Sequence, residues 1–133
     1  MNRRIYGLPL LLSAKKAAGK AAVLRPRLRV MCGREIALGP GRIDLLELVG
    51  KTGSLRAAAE KMGMSYMRAW TLVQDLNRDP EKPMIEMARG GNSGGTATLT
   101  KFGKKVLTLY QGMDAAATKA SRSYGLKLAE LLK

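Results

Sequence analysis

Residues 54–78 read SLRAAAEKMGMSYMRAWTLVQDLNR. Ser54 has the chemistry of a helix N-cap, since its hydroxyl can accept from an otherwise unpaired first-turn amide. Leu55–Met62 then reads as a short helix, with Ala57, Ala58 and Ala59 small enough to let a second helix approach closely. Gly63 suits the left-handed residue that ends such a helix. Ser65 caps the next helix, which runs to about Arg78, and Pro80 and Pro83 forbid its continuation. Two helices joined by a short Gly-Met turn form the helix-turn-helix arrangement.

In that arrangement the second helix enters the major groove of duplex DNA while the first braces it on the backbone. At about 100° per residue, Ala69, Leu72, Val73 and Leu76 share one side and are expected to face the core. Met67, Thr71, Gln74 and Arg78 lie opposite. Tyr66, Trp70 and Asn77 occupy one flank, Arg68 and Asp75 the other. The exposed first turn therefore offers Ser65, Tyr66, Met67 and Arg68. Arg68 suits a guanine edge or a phosphate, Tyr66 a phosphate, and Met67 or Thr71 a thymine methyl. Trp70 is expected to pack, partly buried, rather than to read a base. Ser65 is a cap whether or not it touches DNA.

Outward from this unit, Ile43, Leu46 and Val49, with Leu45 and Leu48, give helical spacing after the break Gly39-Pro40-Gly41. Residues 27–39 read as a short hairpin, with Leu28, Val30 and Cys32 alternating against Arg27, Arg29 and Met31. Downstream, Met84–Ala88 and Thr96–Leu99 read as strands flanking the loop Gly90-Gly91-Asn92-Ser93-Gly94-Gly95. This is a flexible wing tip beside Arg89. It lacks the Lys-Ser/Thr of a P-loop and the spacing of a dinucleotide fingerprint. Thr100 can cap a long helix to about Ser121, with Val106, Leu107, Tyr110 and Met113 as its apolar stripe. Tyr124–Leu132 reads as a separate short amphipathic helix. The fold class is thus mainly α with short β-hairpins. It is a winged helix-turn-helix domain over 26–121, with a basic arm at 1–25 and a helical tail at 122–133.

Composition points the same way. The 133 residues carry a net charge of +14, and 46% are apolar, enough for a core. A strongly basic surface favours polyanions, above all nucleic acid. Up to Arg34 there are nine Lys or Arg residues and no acid. The arm, flexible or part helical around Leu10–Val23, is expected either to track phosphates or to remain a solvated tail.

Several classes are excluded or disfavoured. With no His and the single Cys32, there is no intrachain disulfide, His/Cys metal site, Ser-His-Asp triad or Cys-His pair. Cys32 reads as a small buried hydrophobe. No catalytic residue, cofactor or metal site is expected, and the chain is not read as an enzyme. Arg3 and Arg4 precede an apolar run, but Pro9 interrupts it and no small-residue cleavage site follows. A cytoplasmic protein without a membrane partner is expected.

The stretch Gly53-Ser54-Leu55-Arg56-Ala57-Ala58-Ala59 through Gly63-Met64-Ser65-Tyr66-Met67-Arg68-Ala69-Trp70 closely resembles the N-terminal DNA-binding domain of the ModE family. These are molybdate-dependent transcriptional regulators with a winged helix of the LysR type. The resemblance extends to Leu38-Gly39-Pro40-Gly41, Leu76-Asn77-Arg78, the Gly90–Gly95 wing, Leu99-Thr100 and Gly103, and covers about 27–121.

The resemblance implies a homodimer joined partly through the long helix at about 100–121, with Val106, Leu107, Tyr110 and Met113 as its contacts. It further implies a pseudo-palindromic operator in double-stranded DNA. Ser54 and Arg56 would sit near phosphates. Ser65, Tyr66, Met67, Arg68 and Thr71 would face the groove. Arg89, Gly90, Gly91, Asn92 and Ser93 would belong to the wing. Three departures stand out. Met67 lies where family members often carry a basic residue, and Asn92 and Ser93 where a wing lysine is common. The chain ends at Lys133, leaving no room for the family's oxyanion-binding domains, so no small-molecule effector is expected to bind this chain. Two other readings remain: a winged-helix protein-interaction adaptor, and a non-specific architectural nucleic-acid-binding protein.

Overall fold

The computed structural model describes residues 10–17, 20–89 and 95–132. In chain order the elements are β1 (Leu10–Ala17), β2 (Lys20–Leu24), β3 (Val30–Cys32), β4 (Glu35–Leu38), α1 (Pro40–Thr52), α2 (Leu55–Met62), α3 (Tyr66–Leu76), β5 (Ile85–Ala88), β6 (Thr96–Leu99) and α4 (Lys101–Leu131). The strands form three separate antiparallel pairs, β1–β2, β3–β4 and β5–β6. The whole is a winged helix with a long C-terminal helix.

α1 is the hub. Pro40 occupies its first position, where the missing amide would have no partner in any case. Ile43, Leu45, Leu46, Leu48 and Val49 are all buried, so apolar side chains surround the helix. It ends at Gly53, whose φ of 68° is open to glycine at little cost, and the Gly53 amide donates to Val49 O at 2.9 Å. The Gly53 carbonyl accepts from Ala97 N at 2.9 Å, binding β6 to the end of α1.

The caps lie where the sequence places them. Ser54 Oγ accepts from Ala57 N at 3.1 Å, Ser65 Oγ from Arg68 N at 3.1 Å, and Thr100 Oγ1 from Gly103 N at 2.9 Å. Gly63, at φ 69°, closes α2. Ala58, Ala59, Ala69, Val73 and Leu76 join the α1 residues, Leu55, Ile85, Ala97 and Tyr110 in one core. Leu72 packs, partly buried, at its margin.

Three expectations are corrected. The arm is not helical over its described part: β1 and β2 form an irregular hairpin, pairing Leu10 with Leu24 and Ala17 with Lys20, and lie against α4. Alanine's helix preference is a weak bias that tertiary contact overrides. Cys32 is exposed rather than buried, because β3–β4 projects from the core and only Leu28 and Leu38 at its base pack inward. The C-terminal helix does not break near Ser121: α4 continues unbroken to Leu131, roughly 46 Å at 1.5 Å per residue. No proline interrupts it, and Gly125 is buried within it.

Candidate nucleic-acid interface

α3 presents its N-terminal half to solvent. Ser65, Tyr66, Met67, Arg68, Trp70 and Thr71 are all exposed, Met67 at 66% and Trp70 at 43%. Trp70 is thus more than half covered, with part of its indole open to solvent. The outward surface combines one cation, an indole and a thioether. It can supply apolar contact to base edges as well as hydrogen bonds. Thr71 Oγ1 donates to Met67 O at 3.0 Å, which commits its proton to the helix.

Neighbouring arginines differ in how firmly they are held. The Arg56 guanidinium, on α2, stands 5.1 Å from the centre of the Tyr66 ring, a cation–π contact that joins the two candidate phosphate ligands. Arg42 donates to Ile36 O, to Ala37 O at 3.2 Å and to Asp75 Oδ2 at 3.3 Å. One side chain thus binds β4 and α1 to the C-terminal end of α3. Arg78 pairs with Glu35 at 2.6 Å. That hydrogen bond and charge hold the Glu35 carboxyl below its ordinary pKa and raise that of Arg78. Arg68 is in neither pair, and forms no ion pair among the described residues. Its charge faces outward.

The wing is set relative to α3 by Asn77, the residue that ends the helix. Asn77 Oδ1 accepts from Met84 N at 2.8 Å and Ile85 N at 3.1 Å, while Nδ2 donates to Ile85 O at 2.8 Å. Helical spacing puts Asn77 on a flank of α3 and assigns it no partner. A lone Asn at a helix end carries no mark of the strand it will bind. Arg89 is exposed at the end of β5. Gly90, Gly91, Asn92 and Ser93 lie outside the described residues. Ser54 is half-buried beside the α1–α2 corner, and Arg56 is exposed.

The α4 residues divide. Val106 and Leu107 pack on the core of their own chain, and Tyr110 is buried within it. Met113 is exposed. A second stripe, Phe102, Leu109, Met113, Tyr124 and Leu131, is exposed along the helix. These residues fall at intervals of four, seven and eleven residues, hence on one side.

Among the described residues, no group of three or more His, Cys, Asp or Glu is placed to hold a metal. No described helix is long and apolar enough to cross a membrane.

No protein-family model matches the chain. Similarity to characterised proteins is nevertheless clear. The chain is 38% identical over 100 residues to the molybdenum-pterin-binding protein MopB of Rhodobacter capsulatus, covering 72% of this chain and 37% of that one. It is 38% identical over 81 residues to the transcriptional regulator ModE of Yersinia pestis, covering 61% and 31% respectively. To the DNA-binding transcriptional dual regulator ModE of Escherichia coli it is 36% identical over 81 residues, again 61% and 31%. The chain spans about a third of the length of these curated relatives.

Proposed function

We propose, from the premise that this chain carries a ModE-type N-terminal domain, that it is a sequence-specific regulator of transcription. It binds double-stranded DNA as a homodimer on a pseudo-palindromic operator. The observation that carries this reading is the α2–turn–α3 unit. Its caps and buried face fix α3 against α1, while Ser65, Tyr66, Met67, Arg68 and Thr71 stand outward. Arg56 and Ser54 flank that surface, and Arg89 marks the base of the wing.

The dimer contact follows from which α4 residues lack cover. Val106, Leu107 and Tyr110 serve their own core. The partner therefore meets the stripe Phe102, Leu109, Met113, Tyr124 and Leu131, of which Leu109 and Tyr124 are 66% and 70% exposed. Such a stripe, repeated on a second copy, forms a helix-pair seam.

Selection of bound sequences from a random duplex library tests this. The expected result is an enriched inverted repeat with half-sites about one helical turn apart, or a multiple of that spacing. Salt-sensitive binding without enrichment supports the architectural reading instead. Absence of binding supports the adaptor.

Within that operator, Arg68→Ala is expected to relax preference at one base position, at a cost of about 1–3 kcal/mol. An unchanged preference profile for the variant removes Arg68 from base reading.

A further inference from the structure

A groove of about 650 Å³ opens beside the N-terminal half of α3, and its lining includes Arg27, Arg29, Arg42, Met64, Ser65 and Arg68. No acidic side chain lines it. Four guanidinium groups at one groove repel one another unless an anion is brought to them. Arg42 is already engaged by Asp75. Arg27, Arg29 and Arg68 form no ion pair among the described residues.

The segment holding Arg27 and Arg29 is seated rather than loose. Tyr110, buried in the core, donates its hydroxyl proton to Leu28 O at 2.6 Å, across 82 residues of chain. The Leu28 side chain packs against the same core. Exposure alternates along the segment, with half-buried Leu28 turned inward between exposed Arg27 and Arg29. The stem of Arg29 also rests at buried Gly39, where an added Cβ would stand 3.5 Å from Arg29 Cγ. A stem held on protein leaves the charged head free to reach a partner.

The geometry points to a phosphodiester-binding platform: Tyr110 and Leu28 seat Arg27 and Arg29 so that they grip the DNA backbone beside the groove that α3 enters. Arg27 and Arg29 are backbone ligands, and Tyr110 is a positioning residue. This rests on the regulator reading above. It adds a contact outside both helices of the helix-turn-helix unit and outside the wing.

The test uses the full chain, a duplex carrying the enriched site and a scrambled duplex of equal length. In Arg27→Ala/Arg29→Ala, affinity for both duplexes falls by the same factor, and their ratio is unchanged. The slope of log affinity against log salt becomes shallower by about 1.8, at about 0.9 per phosphate contact. The deficit therefore narrows about tenfold between about 50 and 200 mM salt. Arg27→Lys/Arg29→Lys restores most of the slope. Tyr110→Phe weakens wild type but adds no further loss to the double alanine variant, as expected for groups acting as one unit.

An unchanged slope overturns the platform, as does a loss confined to the enriched duplex. A Tyr110→Phe loss of equal size in both backgrounds overturns the positioning role. Inorganic phosphate is expected not to displace the duplex beyond a chloride control of equal ionic strength. If it does, the groove is a free-oxyanion site and the proposal fails. If wild type enriches no sequence at all, the regulator reading fails, while the slopes on scrambled duplex still decide the arginines.

Discussion

Gly103→Ala is expected to destabilise the domain by about 3 kcal/mol, lowering its melting temperature by about 10 °C. Gly103 lies in the first turn of α4, where the helix crosses the residues leading into β5. A Cβ there would overlap the carbonyl oxygen of Met84, and would lie 3.0 Å from Met84 C and 3.2 Å from Met84 Cα. The obstacle is backbone, so no side-chain rotation relieves it. Met84 cannot easily retreat, because its amide donates to Asn77 and its carbonyl accepts from Thr100 N at 3.1 Å. Strand and helix must separate, uncovering the core around Ile85 and Tyr110. Thermal unfolding checks this, and a melting temperature within about 2 °C of wild type would show that the junction yields more easily than its geometry implies.

Asn77→Ala is expected to cost about 2–4 kcal/mol, from three hydrogen bonds lost and two backbone amides and a carbonyl left with no side-chain partner. Asn77→Asp keeps the acceptor for Met84 N and Ile85 N but loses the donor to Ile85 O, so it falls between. Urea unfolding gives the order wild type, Asp, Ala. Hydrogen exchange gives the place, since the Met84 and Ile85 amides should exchange faster in the alanine variant while those of α1 change little. Loss of stability without faster exchange at those two amides would assign the effect elsewhere.

What the sequence made legible was local. A cap and the amide that it binds lie three residues apart, so Ser54, Ser65 and Thr100 could be read directly. The inward face of α3 follows from helical spacing alone, and Ala69, Val73 and Leu76 are buried as that spacing requires. The wing strands declare themselves through the glycines between them. What stayed hidden depends on partners distant in sequence. Helical spacing offers Tyr110 as a dimer contact because an apolar stripe does not reveal which neighbour covers it; its hydroxyl meets Leu28 within its own chain. Alternation points Cys32 inward, but it says which residues share a face, not whether anything packs on it. The arm's alanines suggested a helix, which packing against α4 overrides. Arg27 and Arg29 looked like the polar side of a hairpin, and only the seating of Leu28 shows that they face the same groove as Arg68.

The Tyr110–Leu28 bond also orders events during synthesis. Chains are made from the N-terminus, and contacts between distant segments must wait for the later one to emerge. Residues 54–78 can close into their helices with only local partners, yet the Leu28 carbonyl, made earlier, has no hydroxyl to donate to it until the third turn of α4 has been synthesised. A growing chain therefore possesses α2 and α3 before it possesses a settled N-terminal segment, and maturation of this domain ends near the residues made first.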